Sequence, residues 1–252
     1  IDSSPTWIGG PSLPYKGPWL DALYPKSTAA EPAGSYADFA GTTATTAQGG
    51  RQNVVYIGAN DGFLHGFRSG TYDASGNFVK TTNDGNEVLA YIPGAITKMI
   101  HSTTPGLDFS STQYSHNLYT DATPGTGDLY YGGAWHTWLV SGVGPGGSTT
   151  GPIGDKTTVA SSVIYALDVT DPTQFSETNA ASLVRGEWTS GTGTGAITCT
   201  GNANCGNNLG STFGTPIIRR LHNGQWAALF GNGLNSSTGT AGLFVMLGDP
   251  AT

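Results

Sequence analysis

The chain has 252 residues, 39 of them glycine and 14 proline, with only 11% charged side chains and a formal net charge of −7. Lys and Arg total just 10, which leaves little counterion release with which to hold a phosphate backbone and argues against nucleic acid as a partner. The apolar residues fall in short runs between glycines, none near the roughly 18 residues of a membrane-crossing helix, so many short strands and few long helices are expected.

The sequence opens at Ile1 with no methionine and no basic, apolar leader, so a processed product or a piece of a longer chain is expected. Residues 1–100 read as one four-stranded unit. "PTWIGG" places Pro5 at the start of a strand, where its missing N–H costs no ladder bond. An insertion at 10–50 follows. "NVVYIGANDGFLHGF" is a hairpin turned at Asn60-Asp61-Gly62, and "EVLAYIPG" is the fourth strand. Residues 101–195 repeat this pattern with "TDATPGTGDLYY" after Pro124, the hairpin "HTWLVSGVGPGG…SSVIYALDVTDP", and "LVRGEWTS". Residues 207–252 begin it a third time with "TFGTPIIRRL" after Pro216 and "QWAALFGNGLNSSTGTAGLFVMLGDP", then stop short of a fourth strand.

Tandem four-stranded antiparallel units that cannot bury their faces alone are the pattern of propeller blades. The expected fold is all-β: a partial β-propeller of about three blades with quinoprotein-like repeats, and a β-sandwich is the competing architecture. Propellers close with about 4 to 8 blades, so a larger parent protein is expected. The open third edge is expected to pair with another segment or a partner strand.

Seven stretches in order, "VVYIGANDGFLHGF", "EVLAYIPGAI", "HNLYTDATPGTGDLYY", "WLVSGVGPGG", "VIYALDVTDP", "LGSTFGTPIIRRLHNGQWAALFGNG" and "GLFVML", resemble the C-terminal β-propeller of the PilY/PilC family of type IV pilus biogenesis factors and adhesins. The resemblance implies a secreted or cell-surface protein, reached via the periplasm, that primes pilus assembly with minor pilins and sits at the pilus tip facing surfaces or host cells. It also implies a calcium loop in a later blade of the parent. That loop would fall beyond residue 252, so Ca²⁺ regulation transfers to no residue of this chain and no cofactor is expected within it.

Asn60-Asp61-Gly62 supplies the positive φ and side-chain acceptor that a tight turn uses, so Asp61 is expected to be a turn residue and not a catalyst. "TNDGNE" (Asn83, Asp84, Asn86, Glu87) offers oxygen ligands of the kind a hard cation takes, but in an order that departs from an EF-hand and fits a turn. His116, Asp121 and Asp128 lie in one short stretch that suits metal binding or proton transfer. A His-to-Asp hydrogen bond tying adjacent blades is the favoured alternative. The remaining histidines, His65, His101, His136 and His222, read as ordinary strand or loop residues.

Cys199 and Cys205 occupy a Gly/Asn-rich loop that a short disulfide fits and that no third ligand converts to a zinc site. A disulfide would place the protein outside the cytosol, whereas a pair of free thiols would not. Tyr15, Trp19 and Tyr24 sit among prolines in the insertion, either as a preorganised partner-contact surface or as a cap over a blade edge. No nucleophile elbow, Cys–His pair or phosphate-cradling P-loop is present in the sequence. The expected function is that of a non-enzymatic pilus assembly factor and tip adhesin. A quinoprotein-like dehydrogenase and a carbohydrate-binding propeller stacking sugars on its six tryptophans are the alternatives.

Overall fold

The computed structural model describes residues 3–17, 19, 21, 23, 29–100, 103, 105–116, 118–145 and 162–249, the side chains of 98–100 and 107 excepted. The strands are β1 (Thr6–Ile8), β2 (Val54–Gly58), β3 (Leu64–Arg68), β4 (Thr71–Tyr72), β5 (Phe78–Val79), β6 (Glu87–Tyr91), β7 (Gly125–Tyr131), β8 (Ala134–Gly142), β9 (Val163–Asp168), β10 (Val184–Thr189), β11 (Ile217–Arg220), β12 (Trp226–Gly231) and β13 (Leu243–Leu247). Among the described residues they form three larger antiparallel sheets, with orders β1-β2-β3-β6, β7-β8-β9-β10 and β11-β12-β13, and a two-stranded one, β4-β5. Pro5, Pro124 and Pro216 each stand immediately before the first strand of a sheet, the position in which proline forfeits no ladder bond. Three helices, α1 (Ser35–Ala40), α2 (Gly94–Ile100) and α3 (Ala180–Leu183), are short. None is long and apolar enough to cross a membrane.

The sheets stack face to face as blades do. β9, "VIYALD", is buried on both faces. Val163, Tyr165 and Leu167 join Val54, Tyr56 and Leu64 of the first sheet in one core, and Ile164 and Ala166 join Ile218, Ala228 and Phe230 of the third in another. A strand covered on both sides loses the apolar/polar alternation and becomes continuously apolar, as this one is. The first strands lie side by side, β7 touching both β1 and β11. At the β1–β7 seam, Ser3 Oγ donates to Ala122 O (3.1 Å) and Thr6 Oγ1 to Pro124 O (3.0 Å). At the β7–β11 seam the contact is backbone on backbone: a Cβ at Gly125 would sit 1.8 Å from the Pro216 carbonyl oxygen. Only glycine permits that approach.

Two features depart from the pattern read in the sequence. Residues 71–79 form a small extra hairpin, β4–β5, closed by Asp73, whose Oδ1 accepts from the N–H groups of Ser75 and Asn77. The insertion does not stay on the blade that carries it. Its helix α1 buries Tyr36 and Phe39 in the core shared by the second and third sheets.

Candidate functional site

The insertion forms an aromatic cap. Tyr15 packs against Trp19, Tyr36, Trp135 and Trp226 with ring centroids 5.0 to 5.9 Å apart, and Trp19 reaches Trp135 and Trp226 at 5.5 and 6.0 Å. Offset and edge-on pairs of this kind add about 0.5–1.5 kcal/mol each beyond area burial. Tyr15 and Trp19 therefore cap the seam between the second and third sheets, each remaining half-buried; Tyr24 lies outside the described residues. Burial pushes the Tyr15 hydroxyl up to about 12, and it has no hydrogen-bond partner among the described residues.

Polar ties fix the cap. Glu31, its side chain fully buried, accepts from Arg220 Nε (2.8 Å) and Trp226 Nε1 (2.7 Å), and the Arg220 guanidinium also lies 5.6 Å from the Trp19 ring centre. Tyr36 donates to Asp128 Oδ2 (2.6 Å) and accepts from the Leu13 N–H (3.0 Å). Burial, then the bond to Asp128, raises the Tyr36 pKa far above the ordinary phenol value. Thr137 Oγ1 donates to the other Asp128 oxygen (2.6 Å) and accepts from Arg51 Nη1 (2.8 Å). Arg51 also donates to Gly9 O and Thr170 O, a chain that links the base of the insertion to the second sheet.

Asp128 is thus a buried structural acceptor. His116 is exposed and meets Asn60 Nδ2 through Nε2 at 3.1 Å, and among the described residues it makes no bond to Asp121 or Asp128. The tie it does make runs to the turn of the first sheet. Asp121 is buried and has a partner of its own, and among the described residues His116, Asp121 and Asp128 form no group that could share a metal ion.

The Asn60-Asp61-Gly62 stretch is the β2–β3 turn. Gly62 has φ 97°, and Asp61 Oδ1 accepts from the Phe63 N–H (3.0 Å). The other Asp61 oxygen meets His65 Nε2 at 2.9 Å, while His65 Nδ1 meets Glu87 Oε1 at 2.5 Å. His65 is therefore not an ordinary strand residue: both ring nitrogens face carboxylates, an arrangement that favours the imidazolium. Partial burial lowers its pKa, but the bonds to Glu87 and Asp61 outweigh that and raise it above the ordinary value.

This clamp also dissolves the "TNDGNE" set as a cation loop. Glu87 turns to His65, and Asp84 holds Arg68 through Nε (2.8 Å) and Nη2. Asp84 also takes the Asn86 N–H and side-chain amide, leaving Asn83 as the cap residue that ends a short 3₁₀ turn. Among the described residues no group of three His, Cys, Asp or Glu is placed to share a metal ion.

His136 and His222 are likewise more than ordinary strand or loop residues, since each faces a carboxylate. His136 Nδ1 meets Asp168 Oδ2 at 2.7 Å and stacks on Tyr131 at 4.1 Å, and His222 Nδ1 meets Asp21 Oδ2 at 2.8 Å. Burial raises the Asp168 pKa, but bonds from His136 and Thr170 outweigh it and the net shift is downward. His101 and the glycine-rich stretch 146–160 lie outside the described residues.

Cys199 and Cys205 are joined in a disulfide. Of the six tryptophans, Trp135, Trp138 and Trp226 are buried, Trp19 and Trp188 pack partly against the core, and only Trp7 is exposed, at 52%. The six tryptophans therefore do not form an exposed row.

Comparison with known proteins adds a family. Residues 21–246 match the model of the PilY1 beta-propeller domain. The chain is 32% identical over 246 residues to the type IV pilus biogenesis factor PilY1 of Pseudomonas aeruginosa (strain PAO1), covering 98% of this chain and 16% of that protein. It is also 32% identical over 193 residues to a PilY1 homolog of Xylella fastidiosa, covering 76% of this chain and 10% of the relative. A crystal structure of the Pseudomonas aeruginosa PilY1 C-terminal domain matches 80% of this chain and 29% of its own at 30% identity, with a TM-score of 0.47.

Proposed function

Because the chain belongs to the PilY1 β-propeller family, we propose that it serves type IV pilus assembly as a non-enzymatic scaffold. Its loops engage minor pilins and, at the pilus tip, an external surface or host receptor. The observation that carries this reading is the 32% identity to a pilus biogenesis factor across 98% of the chain.

The chemistry of the chain supports a scaffold. The side chains best suited to catalysis are used as ties: Asp128 by Tyr36 and Thr137, His136 by Asp168, and Asp61 and Glu87 by His65. The disulfide supports a location outside the cytosol, reached through the periplasm. The net charge of −7 argues against nucleic acid as a partner.

Deleting the coding region for this segment in frame tests the proposal. Loss of surface pili under the electron microscope, with pilin still synthesised, is expected, and normal piliation would overturn it. Binding of purified minor pilins to the intact protein and to the deleted one tests the finer statement, which fails if binding persists without the segment. The dehydrogenase alternative predicts visible absorbance from bound quinone.

A further inference from the structure

β6 closes the first sheet and, among the described residues, leaves one edge without a partner strand. Natural proteins guard such edges with lysine, proline or an inward charge. This edge has none between Glu87 and Pro93: the run is Val88-Leu89-Ala90-Tyr91-Ile92. Beside it lies a groove of about 520 Å³, whose far wall is Leu167, Phe175, Leu183 and Val184. Among the described residues no backbone hydrogen bond joins β6 to the wall at 175–184.

The second sheet shows what such an edge accepts. Its own last strand, β10, occupies the equivalent place, and there the edge is bridged at its final residue, Thr189. The Thr189 N–H donates to Gly195 O (2.8 Å) and the Ile197 N–H donates to Thr189 O (2.9 Å). These two bonds make a parallel bridge centred on Ala196. Ile197 enters the core at 7% exposure, and the Cys199–Cys205 disulfide follows immediately. A loop segment ending in a buried isoleucine thus satisfies the backbone of Thr189 at the end of β10, while the described residues supply no such bridge for β6.

Charge narrows the occupant. The charged residues lining the groove are Asp168 and Glu177. Asp168 is committed to His136 and Thr170, whereas Glu177 is exposed. At the end of β6, Glu187 accepts from the Tyr91 hydroxyl and the Gly94 N–H. Among the described residues no lysine or arginine lines the groove.

We propose that the free edge of β6 and its groove take an extended, apolar and basic peptide segment of a partner protein as an added strand. Backbone bonds supply the affinity, and the pocket for alternate side chains supplies the selectivity. This inference stands on the edge and the groove, and does not depend on the pilus reading.

Selection of random displayed dodecapeptides on the purified protein tests it, followed by fluorescence polarisation with each enriched peptide. Enriched sequences should alternate apolar residues and carry Lys or Arg. Their addition should slow amide hydrogen exchange across 88–92 by about tenfold or more. Ala180→Trp, which fills the groove, and Glu177→Lys, which reverses its charge without filling it, should each weaken binding at least about tenfold. Leu243→Ser, on the exposed face of the third sheet, should leave binding unchanged. Failure to enrich any peptide, undiminished binding to the two groove variants, or protection at β13 in place of β6 would overturn the proposal.

Discussion

Replacing Glu31 with alanine tests whether the insertion is held to the third sheet by a buried charge. The Glu31 carboxylate is fully enclosed, Arg220 is 14% exposed, and the indole N–H of Trp226 shares the same oxygen as Arg220 Nε. Removing the carboxylate strands a largely buried guanidinium and orphans a buried donor. Breaking one side of such a pair costs about 3–5 kcal/mol, because the remaining charge keeps its desolvation penalty. Opening of the cap should then become roughly a hundredfold to several thousandfold more frequent, at about 1.4 kcal/mol per tenfold. Hydrogen exchange of the α1 amides (Ser35–Ala40) reads that opening directly, with the β2 and β3 amides as an internal reference. The double variant Glu31→Ala with Arg220→Met should recover much of the loss, since an apolar replacement of both partners is often near neutral. Unchanged α1 exchange in the single variant would show that aromatic packing alone holds the cap, and no recovery in the double would show that the stranded Arg220 charge is not the source of the loss.

The other expectations are more local. His65 carries a folded pKa above its ordinary value, so its clamp contributes stability below pH about 6.5 that is lost as pH rises through the elevated folded value. Urea denaturation across pH 5 to 8 should show that loss in the native protein and not in His65→Gln. Cys199→Ser with Cys205→Ser opens a loop of six-residue separation and should cost about 2 kcal/mol by the loop-entropy relation, visible as a lowered Tm that reducing agent reproduces in the native protein. Gly125→Ala drives a Cβ to 1.8 Å from the Pro216 carbonyl oxygen. Its cost should reach or exceed the upper end of the ~1–3 kcal/mol range for overpacking, measured as a lowered denaturation midpoint, whereas Gly50→Ala, with open space around its Cβ, should leave it unchanged.

The hairpins were legible because their signals are local. Glycine and proline punctuate the chain at the turns and strand starts, and the apolar runs between them name the strands. The disulfide was legible for the same reason, its cysteines lying in one short loop. The docking of the insertion was not, since Glu31 meets Arg220 across a separation of 189 residues and no local pattern fixes such a contact. His65 falls between these cases. Asp61 is four residues away, but the turn must form before the two meet. Glu87 reaches the ring only through the register of β3 with β6, which shifts at a bulge between Gly66 and Phe67. A one-residue difference in register sends a side chain to the opposite face, so the clamp could not be read from spacing alone.

The scarcity of charge links these observations. With only 11% charged residues, the chain has few carboxylates and cations with which to decorate its surface, and several of them sit at joints. Glu31 and Arg220 join the insertion to the third sheet, Arg51 joins its base to the second, and Asp61, His65 and Glu87 lock a turn to two strands. Sheets packed largely by apolar faces can slide or change partners with little energetic discrimination, whereas an enclosed charge admits one arrangement and penalises the rest. On this argument, substitutions at the joints should change which blades pack together and how tightly the cap closes. Substitutions at exposed positions such as Lys16 should change neither, and comparing α1 exchange between Glu31→Ala and Lys16→Ala separates the two classes.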